Sequence, residues 1–437
     1  MKKFPKLKFN LEKISEFGVY LFAFLLPLQT RIFLKQAYLG GEYWELGSYS
    51  IYLIDFIILS LFIVSTIVIY KKRELKIKKV WYFFAFLEFF VFLSIFFADI
   101  KYIAIYGYAK IFLALAVFFI LTEIKYKEKH FILSFLLGVF IQSLIAILQH
   151  IYNFSFANKY LGMALHNPEN LGTFVLELED KTRILRSYAG FGHPNTFSFF
   201  IFIGIFVFVR YLLNLKDKKN ISIKSQFGYF LLLSVFFIAF LFSFSRTAYV
   251  LFLFYLIFLF IWSFIDLGRR KYIYKILFSF FLIFFLFSIF NYSLLTERIS
   301  SQSRLNNISN IERVNQLKEC GQVIKNNYVF GVGISSYSSK LRLMDSVEKE
   351  SWEYPPIHNV FILVLAEIGI FGFISFLSIF AYFIYMTLKY KLYFDFFLIL
   401  SLFIVFFFDH YMWSFHFGII FLFFIFALIQ KRLNQEF

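Results

Sequence analysis

The sequence predicts an all-α polytopic membrane protein, and three observations carry that expectation. Hydrophobic residues fill 60% of the 437 positions and charged residues only 16%, with a mean hydropathy of +0.73. Soluble chains hold about 45–50% apolar and about 25% charged residues. Apolar runs of the length a bilayer demands recur along the chain, and basic residues gather in alternate connections between them. This composition excludes an ordinary soluble enzyme, a disordered chain and a nucleic-acid-binding domain.

A spanning helix needs roughly 20 mostly apolar residues. About twelve such runs are found, centred near residues 25, 60, 89, 113, 141, 203, 235, 257, 285, 372, 402 and 421. The first, from about Phe17 to Leu34, follows the basic start Met1-Lys-Lys-Phe-Pro-Lys-Leu-Lys. It lacks a small-x-small cleavage site and contains Pro27, so it reads as a retained span and not a signal peptide. The runs at 235/257 and 402/421 form tight hairpins, with Ser243-Phe-Ser-Arg-Thr and Asp409-His410-Tyr-Met-Trp413 in their turns.

The formal net charge of +17 follows the positive-inside rule. Lys71-Lys72-Arg73 with Lys76, Lys78 and Lys79 falls in one inner connection. Lys125, Lys127 and Lys129 fall in the next, then Lys216, Lys218, Lys219 and Lys224, then Arg269-Arg270-Lys271, Lys389 with Lys391, and Lys431-Arg432. Both termini are therefore expected in the cytoplasm, and the charge marks anchoring, not a polyanion site. Residues 1–437 read as one membrane domain with two outer segments, about 151–192 and 296–357. The second carries eight Lys/Arg against seven Asp/Glu. It has helical periodicity over Ile311–Ile324, which predicts a folded, partly helical loop.

The lone Cys320 excludes an internal disulfide, and seven scattered histidines show no His-Glu-x-x-His spacing, so no metal and no cofactor are expected. Four places could carry chemistry. Arg186-Ser-Tyr-Ala-Gly-Phe-Gly-His-Pro-Asn195 is a shaped turn with a fixed cation; taken alone it reads as an interfacial anchor. Arg246 lies in a short turn between Phe-rich helices, where it either snorkels or faces a polar cavity. Arg313 falls in the helical part of the large loop, ahead of Gly331-Val-Gly333. Two arginines on separate elements can clamp a diphosphate with bidentate forks that never lose their charge. His358, after Pro355-Pro356 and before Asn359, sits at a helix start, where the dipole favours the neutral ring a general base needs. Asp409-His410 reads as a structural pair, Lys110 as a buried cation, and Glu42 and Glu45 as loop residues without a visible partner.

His358-Asn359, nine residues, then Gly369-Ile-Phe-Gly372 resembles the periplasmic signature of the bacterial O-antigen ligases. Ser245-Arg246, Arg313, Gly331-Val-Gly333 and the Arg186–Asn195 segment agree with it, as do twelve spans with one large outer loop before the last three. The resemblance implies a GT-C-like, inverting, metal-independent glycosyltransferase of the bacterial inner membrane with a periplasmic active site. It would move a glycan from undecaprenyl diphosphate to a hydroxyl of the lipid A–core oligosaccharide in lipopolysaccharide synthesis. Its partners would be that lipid-linked donor, that acceptor and membrane lipids. Carried over, His358 is the base, Arg246 and Arg313 bind the diphosphate, and Arg186 is a further phosphate or positioning contact, a role Arg183 could also fill. Asn359, Gly369 and Gly372 support the site.

Two alternatives stand beside this reading, the first within the same superfamily and the second of a different class that twelve spans and buried cations would suit. An O-antigen or oligosaccharide repeat-unit polymerase, or another lipid-linked oligosaccharide transferase, uses the same donor with a different acceptor. A transporter of lipid-linked sugars would show repeats with broken helices in matching places, and the sequence has none.

Overall fold

The computed structural model describes residues 10–436 apart from 40, 73–77, 171, 216–221, 300–303, 346–349 and 351–352. The amino-terminal lysines, Arg73, Lys76, Lys216, Lys218, Lys219 and Trp352 therefore lie outside the described residues.

The chain begins with α1 (Leu11–Leu25), a hairpin of β1 (Arg31–Leu39) and β2 (Glu42–Tyr52), then α2 (Leu53–Lys72) and α3 (Val80–Ser94). It continues through α4 (Lys101–Glu123), α5 (Glu128–Tyr152), a small hairpin of β3 (Val175–Glu177) and β4 (Arg183–Leu185), and α6 (Pro194–Leu215). Next come α7 (Ile223–Leu241), α8 (Arg246–Ile265), α9 (Arg270–Phe290), α10 (Tyr292–Ile299), α11 (Arg304–Asn327) and α12 (Tyr337–Met344). The last four helices are α13 (Val360–Lys389), α14 (Tyr393–Phe408), α15 (Tyr411–Ser414) and α16 (His416–Leu433). Among the described residues ten helices are long and apolar enough to cross a bilayer: α2 to α9, with α3 extended by a 3-10 turn to Phe97, and α13 and α16. The expected all-α membrane architecture is present.

Two of the twelve predicted spans fall short. α14 has 16 residues and α1 has 15, about 24 and 22 Å of helix against a hydrocarbon core of about 30 Å. The first run in particular is not helical to Leu34. Pro27 has no N–H to give to the carbonyl four residues back, so α1 ends at Leu25 although Leu26 keeps helical dihedrals (φ −48°, ψ −41°). The remaining apolar residues join an antiparallel hairpin running from Arg31 opposite Tyr52 to Leu39 opposite Glu42. Glu45, read without a partner, is paired with Arg31 (Nη2 to Oε2 3.0 Å). Lys110 is buried, with its ammonium over the Tyr106 ring at 4.7 Å.

α16 and α6 are apolar on every face and form the centre of the bundle, as a helix buried all round must. α7, α8 and α9 turn Phe254, Phe260, Phe278, Phe281 and other large side chains outward, a surface suited to lipid. Ion pairs tie one end of the bundle: Lys72–Glu12 at 2.9 Å, Arg210–Asp395 at 2.8 Å, Arg432–Glu128 at 2.8 Å, and Lys78–Glu123.

α13 is two helices joined by a break at Gly369 (φ 70°, ψ −176°), a backbone state that only glycine adopts at little cost. A break within a spanning helix frees polar backbone groups that lipid cannot satisfy. Here the 328–333 segment satisfies them. Val332 N–H donates to Ala366 O (3.0 Å), Gly333 N–H to Glu367 O (2.9 Å), and Ile370 N–H to Tyr328 O (3.0 Å). The two backbones lie so close that a Cβ on Gly369 would stand 2.1 Å from Val329 O, and one on Gly331 (φ 73°) 2.3 Å from Glu367 O. Glu367 then bridges outward, accepting from Trp413 Nε1 at 2.9 Å and Tyr337 N–H at 3.4 Å.

Gly372 is helical, and a Cβ there would stand 2.6–2.8 Å from Cγ1, Cδ1 and Cβ of the buried Ile368, side-chain atoms and not a carbonyl. Gly369→Ala is therefore expected to abolish monodisperse protein in detergent, from a dihedral strain of about 1–3 kcal/mol plus the carbonyl clash. Gly372→Ala strains no dihedral and requires only Ile368 to shift, so it should retain more monodisperse protein than Gly369→Ala. Size-exclusion chromatography of the two variants checks the contrast.

Candidate active site

The end of the bundle opposite the ion pairs gathers the four segments singled out in the sequence. Pro355 and Pro356 keep α13 from starting earlier. Asn359 is its N-cap, with the side-chain oxygen accepting from Ile362 N–H at 3.1 Å. His358 thus stands one residue outside the helix, half-buried, and its Nδ1 lies 2.9 Å from Gln316 Oε1. An amide oxygen can only accept, so Nδ1 carries the proton and Nε2 is left with its lone pair. Gln316 is buried on α11, three residues and about one turn beyond Arg313. The docked 328–333 segment sets where that helix ends.

Asp409 and His410 are not merely a structural pair in a hairpin turn. The rings of His358 and His410 sit edge to face with centroids 5.0 Å apart, and Asp409 lies beside them. Asp409 Oδ2 accepts from Asn195 Nδ2 at 2.7 Å and Oδ1 from His410 N–H at 2.8 Å. His193 completes the group; its Nδ1 accepts from Asn195 N–H at 2.9 Å. Burial pushes the His358, His193 and His410 rings below their ordinary value, the last two to about 3. Burial pushes the Asp409 carboxyl up, but attraction to the three rings whenever they carry a proton, with the Asn195 amide, holds it below the usual range. The pocket therefore holds neutral imidazoles around one carboxylate. Among the described residues, one ligand atom each from His358, Asp409 and His410 lie within 4.8 Å of one another.

Arg186 is buried, with Nε donating to Ser243 O at 2.9 Å and Nη2 to Asn195 Oδ1 at 2.8 Å. Its loop is held by two buried glutamines of α5. Gln149 Oε1 accepts from Tyr188 and Ala189 N–H at 3.0 and 2.7 Å, while its Nε2 donates to Ala189 O at 2.8 Å and Ser155 Oγ at 2.9 Å. Gln142 Oε1 accepts from Gly190 N–H at 2.8 Å. The 243–245 turn, with Phe244 at φ 45°, presents successive carbonyls inward: Ser243 O takes Arg186, and Phe244 O takes Arg298 Nε at 2.6 Å.

Arg298 was not among the sequence candidates. Burial first, then the charges of Arg186, Arg246 and Arg313, push it below its ordinary value, so four guanidiniums share one region. Arg246 opens α8, half-buried, and Arg313 Nε is buried without a hydrogen-bond partner among the described residues. A buried, unmet donor beside other cations is an opening for an anion. Arg183 lies in β4 opposite Glu177, where Arg183 O accepts from Asn153 Nδ2 at 3.1 Å.

Gln149, Gln142, Asn195 and Gln316 were missed. The glutamine pair did leave a trace: two amides seven residues apart in an otherwise apolar span mark one polar face, and polar side chains within a membrane are costly unless they are used.

These features define an integral-membrane protein in which four guanidiniums gather at the same end of the bundle as His358, Asp409 and His410. Residues 229–377, about one third of the chain, match the family described as O-Antigen ligase. The family implies a glycosyltransferase-like enzyme of the ligase/polymerase type. No curated protein matches the chain.

Gln149→Leu strands the Tyr188 and Ala189 N–H groups, each costing on the order of 1–3 kcal/mol. The variant is expected to melt several degrees below wild type in detergent, as read by scanning fluorimetry.

Proposed function

We propose that the protein is an O-antigen ligase. It transfers a glycan from undecaprenyl diphosphate to a hydroxyl of lipid A–core oligosaccharide, with inversion and without a metal ion, at the periplasmic face of the inner membrane. The observation that carries this reading is the His358 Nδ1–Gln316 Oε1 contact, which leaves Nε2 for the acceptor, with Gln316 on the same helix that carries Arg313 and its buried, unmet Nε.

The arginines divide into two kinds. Arg186 and Arg298 are tied to the carbonyls of the 243–244 turn, and their charge is fixed in place. Arg246 and Arg313 keep donors for a ligand and hold the diphosphate. That anion is already a good leaving group, so no leaving-group acid is required, and four guanidiniums supply the electrostatic stabilisation that a divalent ion supplies elsewhere. His358 Nε2 removes the acceptor hydroxyl proton as that oxygen bonds the anomeric carbon and the anomeric carbon–phosphate oxygen bond breaks. The electron pair leaves with the diphosphate. The attack from the opposite side inverts the anomeric centre. Asp409 stabilises the imidazolium that forms, at close range and in a site of low dielectric. The start of α1 and the end of α16 lie at the end tied by ion pairs, which on this reading is cytoplasmic.

Purified protein, with undecaprenyl-diphosphate glycan and lipid A–core, is expected to join the two in EDTA, and His358→Ala to lose the reaction. Glycan lengthening on undecaprenyl diphosphate would mean a polymerase, and undiminished transfer by His358→Ala would overturn the base assignment. Arg246→Lys and Arg313→Lys should each lose about tenfold or more, since an ammonium cannot reproduce the fork. Gln316→Leu frees the His358 tautomer and is expected to lower kcat about 10–100-fold, with Gln316→Glu restoring much of it because a carboxylate also accepts from Nδ1.

A further inference from the structure

We propose that His358, Asp409 and His410 form a binding site for a divalent transition-metal ion of the zinc type, and that the ion blocks transfer by occupying the lone pair that receives the acceptor proton. The blocking rests on the reading of His358 as the base; the binding does not.

The ligand atoms come from two loops, the one before α13 and the one between α14 and α15, and lie within 4.8 Å of one another. A zinc ion with bonds of about 2.0–2.1 Å needs them about 3.3 Å apart, a change that small side-chain rotations supply. Both imidazoles have their Nδ1 within hydrogen-bond reach of a protein oxygen. His358 Nδ1 donates to Gln316 Oε1, leaving Nε2 bare. Ser414 Oγ lies 2.6 Å from His410 Nδ1 and 3.1 Å from His410 O; with its proton on the carbonyl it accepts from Nδ1, and in that arrangement this ring too has Nε2 for the ion. A ring N–H bonded to the protein while the other nitrogen is free is the arrangement of metal-ligating histidines. Asp409 is oriented by Asn195 and the His410 N–H and retains lone pairs for an ion. His193 has the opposite tautomer, with Nδ1 accepting, so its Nε2 is protonated and adds no fourth ligand. Two histidines and one carboxylate leave an open position, and imidazole selects zinc-like ions over magnesium. The arginines oppose any cation, which keeps the affinity modest and the ion exchangeable.

The test uses full-length protein in detergent, stripped with EDTA and titrated with Zn2+ or with Co2+ as a spectroscopic probe. One Zn2+ per chain and the visible absorption of low-coordinate Co2+ are expected, both lost in His410→Ala. Ser414→Ala, which leaves every ligand in place, should weaken binding about 10–100-fold, so the site is tested even if His410→Ala does not fold. Zn2+ should inhibit transfer, Mg2+ should not, and EDTA should restore the rate, each variant being compared with its own metal-free rate. Zinc binding unaltered in both variants, or no binding, would overturn the site. Transfer that stops in EDTA and returns with Zn2+ would overturn the blocking role. Stoichiometric zinc lost in His410→Ala, in a protein that transfers no glycan, would uphold the site and sink the transferase reading instead.

Discussion

The break in α13 at Gly369 and the 328–333 segment seated against it depend on each other. Opening a helix inside a membrane protein exposes carbonyls and amides that nothing in the bilayer can satisfy. The segment after α11 supplies the missing partners through three backbone hydrogen bonds, at the price of an approach so close that neither Gly369 nor Gly331 can carry a side chain. Because that segment also ends α11, the same contact holds Gln316 against His358. The His-Asn and Gly-x-x-Gly pattern thus links His358, just ahead of a helix, to the break eleven residues further on that fixes what lies over it.

Polar groups elsewhere obey the same constraint. Gln149 uses both ends of its amide on the 188–189 backbone, and the Arg186 loop takes its shape from these bonds. The turn before α8 spends two consecutive carbonyls on two arginines. Cations that are tied in this way lose freedom and set a potential. Arg313, with a buried donor unmet, is the kind of cation that keeps capacity for a ligand.

Much of the architecture was legible because a bilayer leaves few choices: length and hydropathy alone locate ten of the spanning helices. The first apolar run was misread because composition cannot tell the end of a helix from an apolar strand; Pro27 was the available signal. Arg186, Arg246, Arg313 and His358 were visible as costly polar residues in unusual places, and each stands at the same end of the bundle. Arg298, Asn195 and Gln316 were not, because nothing in their local sequence sets them apart from ordinary loop and helix polarity. Asp409 and His410 were read as a local pair for the same reason.

What the sequence determined by itself was the class of protein, the run of helices, and the residue types able to hold an anion and move a proton. Hydrophobicity and spacing are local quantities, and they act wherever the residue lies. Only the tertiary structure decided which nitrogen of His358 is bare, which arginines are tied and which are open, and that Asp409 and His410 belong beside His358. Those properties depend on a partner atom dozens or hundreds of residues away, 42 positions in the case of Gln316 and 214 between Asn195 and Asp409, and a hydrogen bond fixes a tautomer only once the fold has brought the two together.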